Sequence, residues 1–158
     1  MRGYSRGDQL LNPDFRDMLS ALCEENAEFL IVGAYALAAY GLPRATGDID
    51  IWIRCSEENA ERIWRVLIRF GAPLRDVKMN DFSTPGIFFQ IGVVPNRIDI
   101  LTSIEGVEFD EAWPHRKEIE IEGLKIAVIG RTHLLKNKKA VGRPQDLADI
   151  AWLESHGE

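Results

Sequence analysis

Hydrophobic positions divide the chain into segments of two different periods. Asn12-Pro13-Asp14 has the form of a helix start, with proline in the first turn. Phe15, Met18, Leu19 and Leu22 then recur at helical spacing, which predicts a helix to about Asn26. Phe29 to Val32 is a continuous apolar run ending at Gly33 and reads as a short buried strand. The alanine-rich stretch Ala34 to Tyr40 predicts a helix stopped by Gly41-Leu42-Pro43. From Asp48 to Arg54 the period is two, with Ile49, Ile51 and Ile53 on one face and Asp48, Asp50 and Trp52 on the other.

Ser56, followed by Glu57 and Glu58, is a helix cap with acids in the first turn. Its helix turns Ile63, Val66, Leu67 and Phe70 inward and closes at Gly71. Asp81 to Gly86 reads as a loop. Ile87 to Ile91 and Arg97 to Thr102 read as strands joined through Val94-Pro95-Asn96, a hairpin or near-hairpin. Glu118 to Ile129 predicts two short strands around Glu122-Gly123. Arg131 to Val141 predicts a helix ending at Gly142, and Pro144 opens a last one through Leu153. Interspersed helices and paired strands place the fold in the α/β (α+β) class, a small mixed β-sheet flanked by helices.

At 158 residues the chain is expected to form one domain. Residues 1–28 carry an N-terminal helix, 29–129 the core sheet with its helices, and 130–158 the C-terminal helices. A composition of 46% hydrophobic and 28% charged residues is that of a globular protein. The net charge of −6 excludes a generic basic nucleic-acid coat, but not an acidic enzyme that holds phosphates through a metal ion. The uncharged run Phe29 to Leu42 is shorter than the about 20 residues of a spanning helix and is broken by Gly33 and Gly41, so no membrane partner is expected. Met1 to Arg6 has no apolar signal core. Cys23 and Cys55 offer neither a disulfide framework nor zinc spacing. The expected compartment is a reducing cytoplasm, with both thiols free.

Candidate chemistry centres on Thr46-Gly47-Asp48-Ile49-Asp50-Ile51. A strand directs Asp48 and Asp50 to the same face. There they repel each other unless a cation lies between them, and oxygen ligands of this kind suit magnesium. Asp99, in Arg97-Ile98-Asp99-Ile100-Leu101, alternates with apolar residues in the same way. If the two strands are neighbours, three carboxylates meet on one patch. That suffices for two metal ions about 3.5–4 Å apart, the clamp for in-line phosphoryl displacement. Asp99 is the natural general base in such a site. The bland alternative is aspartate on the solvent face of an edge strand. Gly33, between a buried strand and a helix, weighs against it, because backbone amides beside a glycine admit an anion closely.

The order strand–glycine–helix, then Asp-x-Asp, then a later strand aspartate resembles the nucleotidyltransferase superfamily, whose fold is shared with DNA polymerase β. The nearer resemblance is to the small bacterial AbiE-type and related minimal nucleotidyltransferases. It is carried by Phe29 to Leu37, by Tyr40 to Ile51, and by the basic-then-acidic stretch Asn137 to Ile150. It implies the nucleotidyltransferase fold and Asp48, Asp50 and Asp99 as catalytic metal ligands for Mg2+, two ions, with Mn2+ as a substitute. It implies that Gly33 and Ala34 contact nucleotide phosphates and that Lys138 reaches the triphosphate. The superfamily has Gly-Gly or Gly-Ser where this chain has Gly33-Ala34, so an amide is kept and a hydroxyl is missing. Arg44 and Thr46, just before the aspartate pair, are further candidates for binding phosphate, Arg44 as a fork donor. For Arg44 a solvated loop residue is the alternative.

The reaction implied is nucleotidyl transfer from an NTP to an acceptor, with pyrophosphate released. The acceptor is an RNA end such as tRNA, a small molecule or a protein side chain. An RNA or protein acceptor would fit a toxin–antitoxin role, and a small molecule would fit resistance. A protein partner or a homodimer would complete the pocket. A catalytically silent module that binds a nucleotide or a partner is the competing class. Arg143, Asp146 and Asp149 read as a cap and ion-pair set docking the last helix, and Lys136 and Lys139 as a solvated face. His115, His133 and His156 lack zinc spacing. Trp64 and Trp152 read as core. Trp52 either lines a base pocket or packs against the C-terminal helices.

Overall fold

The computed structural model of the chain describes residues 11–43, 47–93 and 95–157. Helix α1 (Pro13–Glu24) starts where Asn12 accepts the Phe15 amide at 2.8 Å. It ends two residues before the predicted limit, because the chain tightens there: the Asn26 amide bonds to Cys23 at 3.1 Å and Asn26 takes a φ of 57°. Strand β1 (Phe29–Val32) and helix α2 (Gly33–Ala39) follow, then β2 (Ile49–Ile53) and α3 (Glu57–Phe70). Next come β3 (Phe88–Ile91), β4 (Ile98–Leu101), α4 (Phe109–Ala112), β5 (Lys117–Ile121), β6 (Leu124–Val128), α5 (Arg131–Val141) and α6 (Pro144–Ser155).

The predicted loop at Asp81 is in part a 3-10 helix, Met79–Ser83. Asp81 accepts the Lys78 amide at 2.9 Å and Phe82 is fully buried, so an anchor and a cap make a helix where turn residues suggested none. Helix α4 and the 3-10 turn Trp113–His115 behind it are too short to show a helical period and were not expected.

The sheet is six-stranded and mixed, in the order β3-β4-β2-β1-β6-β5. Strands β1 and β2 are antiparallel, while β1–β6 and β2–β4 are parallel. The hairpin expectation holds for β3 and β4, which pair antiparallel with Gln90 opposite Asp99. All four β1 residues are buried, as a strand covered on both faces requires. Ile49, Ile51, Ile53, Ile98 and Ile100 belong to one core cluster with the apolar stripes of α1 and α3. Asn59 in α3 is the polar tie in that packing. It accepts the Glu28 amide at 2.8 Å and donates to the carbonyls of Glu28 and Arg54 at 3.0 and 2.9 Å.

Trp52 is a core residue, in one apolar cluster with Leu134 and Leu153 of the C-terminal helices. It is buried, packs edge-on against Phe109 of α4 with centroids 5.0 Å apart, and is not among the residues lining the cavity beside Gly33 and Asp50. Trp64 and Trp152 pack on the core as expected. Both cysteines are free thiols. No helix among the described residues is long and apolar enough to cross a membrane.

Candidate active site

The parallel pairing of β2 with β4 places Asp50 directly opposite Asp99. The condition attached to the third carboxylate is therefore met: the two strands are neighbours. Period two then sets Asp48 and Arg97 beside each other, two residues before each of these aspartates. The Arg97 amide donates to Asp48 Oδ1 at 3.1 Å, and its guanidinium lies 3.1 Å from Asp48 Oδ2. The same guanidinium grips Asp99 with both oxygens, Nε at 2.7 Å and the terminal nitrogen at 3.1 Å. This forked geometry is the strong form of a carboxylate bond. Asp99 is only 2% exposed. The sequence reading passed over Arg97, although its i, i+2 relation to Asp99 was the signal that could have found it.

Asp50 is left as the carboxyl that Arg97 does not grip. Burial, then the Asp99 charge and a hydrogen bond with Asp99, then Asp48, push it up to about 7, and Arg97 only partly offsets them. Its position explains Gly33. A Cβ on Gly33 would lie 2.2 Å from Asp50 Oδ2, and Gly33 has a φ of 71°. Glycine is required twice over there, by backbone conformation and by the carboxyl lying against it. Gly47 meets a second constraint, since its Cβ would fall 1.4 Å from the Pro95 carbonyl oxygen. The segments leading into β2 and β4 thus touch backbone to backbone, and the Ile49 amide bonds to the Arg97 carbonyl at 3.0 Å.

Gly33 and Asp50 form one wall of a cavity of about 450 Å³, and Lys138 and Arg143 line it as well. The cavity thus joins residues more than a hundred positions apart. A second cavity of about 450 Å³, beside Cys23, Trp113 and Arg116, contains none of the aspartates. The chemistry, not the volume, distinguishes the first.

Lys138 is 7% exposed and ion-paired, 3.3 Å from Asp146 and 3.1 Å from Asp149. Arg143 grips Asp146 at 2.7 and 3.2 Å, and its amide caps α6 on the same carboxylate at 3.1 Å. With the Arg143 bonds leading, these contacts hold the Asp146 carboxyl down at about 2. The set expected to dock the last helix does so, and Lys138 is part of it. Lys136 and Lys139 reach Glu111 and Glu154 on the surface. Ala34 is half-buried behind Gly33. Arg44 and Thr46 lie outside the described residues. Among the described residues no three Asp, Glu, His or Cys side chains stand arranged as a ligand cage, and the Arg97 guanidinium lies against two of these carboxylates, Asp48 and Asp99.

No family profile and no curated protein matches the sequence. Solved structures do match. TM1012 of Thermotoga maritima, provisionally described as a nucleotidyltransferase, superposes with a TM-score of 0.61 at 19% identity, over 98% of each chain. The lincosamide antibiotic adenylyltransferase LnuA gives 0.59 at 13% identity, covering 92% of this chain and 98% of its own. The antibiotic-resistance factor ANT(2'')-Ia gives 0.58 at 16% identity, covering 90% of this chain and 81% of its own. The protein therefore has the nucleotidyltransferase fold.

Proposed function

We propose that this chain is a metal-dependent nucleotidyltransferase, moving a nucleotidyl group from an NTP to an acceptor hydroxyl with release of pyrophosphate. The observation that carries this reading is the pairing of Asp50 with the buried Asp99 across parallel strands, with Asp50 on the wall of a cavity also lined by Lys138 and Arg143. Clustered carboxylates beside cationic groups suit a substrate that is itself polyanionic and arrives with cations.

The patch fits a cation. Its donors are all carboxylate oxygens, a guanidinium already rests against two of the three carboxylates, and burial together with the Asp99 and Asp48 charges keeps Asp50 protonated unusually far. Asp48, Asp50 and Asp99 would hold Mg2+, with Mn2+ as a substitute. Bound there, the cation supplies charge neutralisation for the phosphates and acidifies the attacking hydroxyl. Gly33 and the half-buried Ala34 would contact a phosphate at the start of α2, beside the Asp50 carboxyl that fills the space a Gly33 side chain would take. Arg143, 68% exposed at its side chain, offers an anion its solvent-facing side while two bonds to Asp146 anchor its guanidinium. Lys138 contributes positive potential from a fixed position, since both of its aspartates hold it. Asp99 takes the acceptor proton once its bonds to Arg97 loosen.

For the acceptor, a small hydroxyl compound is favoured. LnuA is a lincosamide adenylyltransferase, and a net charge of −6 disfavours extended contact with RNA. The test is incubation with each labelled NTP, Mg2+ and a panel of hydroxylated small molecules, tRNA and cell extract. Labelled product is expected, lost in Asp50→Asn and Asp99→Asn. If Asp99→Asn turns over normally, Asp99 is not the base. A second reading, a silent nucleotide-binding module, is favoured by the Arg97 guanidinium among the carboxylates and by Gly33-Ala34. Nucleotide binding with no transfer to any acceptor would select it.

A further inference from the structure

We infer that Arg97 is a built-in competitor for the divalent cation: its guanidinium occupies the cation position between Asp48 and Asp99, and the ion binds them only as Arg97 withdraws. The inference rests on the proposed metal site. It starts from a count of bonds. Arg97 engages both oxygens of Asp99 and, through amide and guanidinium, both oxygens of Asp48. A divalent ion needs those same oxygens at about 2.0–2.1 Å. The oxygens have lone pairs for both, but a guanidinium bridging Asp48 and Asp99 at 2.7–3.1 Å fills the gap between them and repels a second cation there.

The geometry also gives Arg97 a way out. Its side chain is 25% exposed, whereas Asp99's is 3% exposed. The cation partner can reach solvent, and the buried anion cannot. Arg97 leads into β4 from the Pro95-Asn96 turn, so its side chain can leave while the strand keeps its pairing. Without either cation, buried Asp99 would face Asp50 and Asp48 with no counter-charge, which is strongly unfavourable. Arg97 therefore makes the ion-free protein foldable, and it lowers ion affinity by the cost of its own displacement. By linkage, whatever removes Arg97 must tighten ion binding.

The experiment is calorimetric titration of Mn2+ into the wild-type chain, Arg97→Gln and Arg97→Lys, with melting temperatures measured with and without Mn2+. Arg97→Gln is expected to bind Mn2+ at least tenfold more tightly than the wild type. Its ion-free melting temperature should be lower, and its rise on adding Mn2+ larger. Arg97→Lys keeps the charge but cannot fork, so its affinity should fall between the two. That variant carries the test if Arg97→Gln does not fold. Adding Asp48→Asn to Arg97→Gln should abolish the gain. Equal or weaker Mn2+ binding by both Arg97 variants, with wild-type binding intact, would overturn the inference and leave the metal site standing. Mn2+ binding by none of the proteins would overturn the metal site itself.

Discussion

Asp50 and Asp99 face each other across adjacent parallel strands, and only Asp99 is gripped by Arg97. The asymmetry leaves Asp50 a group that ionises late, because burial and the neighbouring Asp99 and Asp48 outweigh Arg97 there. Asp50 holds its proton to about pH 7 in the folded chain, against an ordinary value of 3.8. Folding is therefore unpenalised below about pH 4 and grows less favourable as pH rises through 7. Asp50→Asn, which keeps shape and hydrogen bonding, should raise the ion-free melting temperature at pH 8 by several degrees and leave it nearly unchanged at pH 4. The underlying gain is on the order of 2–4 kcal/mol. Thermal melts at the two pH values check this, and equal shifts at both would refute it.

Lys138 tests structure against ligand binding. Removing it strands Asp146 and Asp149, both almost fully buried, without their shared cation. Lys138→Ala should cost about 3–5 kcal/mol in denaturant unfolding. Lys138→Met combined with Asp146→Asn and Asp149→Asn should recover much of that. With its carboxyl held at about 2 against an ordinary 3.8, Asp146 contributes on the order of 2 kcal/mol. That stability is present above about pH 4 and disappears as pH falls toward 2.

Gly33→Ala should damage the site more than the fold. The new methyl meets Asp50 Oδ2, and the positive φ strains any side chain. A loss of about 1–3 kcal/mol is expected from the backbone alone. Paired with Asp50→Ala, the added cost of Gly33→Ala should fall back to that backbone part. A double-mutant cycle on stability measures the difference, which is the contact itself.

Ala34→Ser supplies the hydroxyl found in the resembling superfamily. One added bond to a phosphate is worth about 0.5–1.5 kcal/mol, so NTP affinity should rise up to roughly tenfold. Calorimetric titration of both proteins with each NTP in Mg2+ reads this directly. Binding in neither form would favour a module without transferase activity.

Much of the fold was legible because two periods alternate cleanly. The Ile49/Ile51/Ile53 alternation gave β2 and the face of its aspartates, and Ile98/Ile100 did the same for Asp99. What pattern alone could not give was adjacency. The strands are parallel and separated by a helix and a hairpin, so the register that sets Arg97 beside Asp48 is a tertiary fact. Arg97 was hidden further by Pro95-Asn96, which reads as turn. Trp52 was ambiguous because its partner, Phe109, lies on a helix of four residues, too short for any period to announce. The resemblance implies Lys138 as a contact to the triphosphate, but its enclosure by two aspartates depends on how α5 meets α6.

Gly47 has a consequence of its own. Its closeness to the Pro95 carbonyl lies at the polar end of the β2–β4 seam, while Trp52 and Leu101 are paired at the other end. A bulkier residue at 47 would prise the seam apart from the polar end only. Asp48 would part from Arg97 while the isoleucine rows stayed zipped. A chain injured in this way would lose stability, with the damage concentrated at the carboxylate end of the seam. With the new Cβ starting 1.4 Å from a backbone oxygen, the strands would have to part at that end by more than an ångström, and a genetic screen would score the change as a lesion of the candidate site although none of its carboxylates had changed.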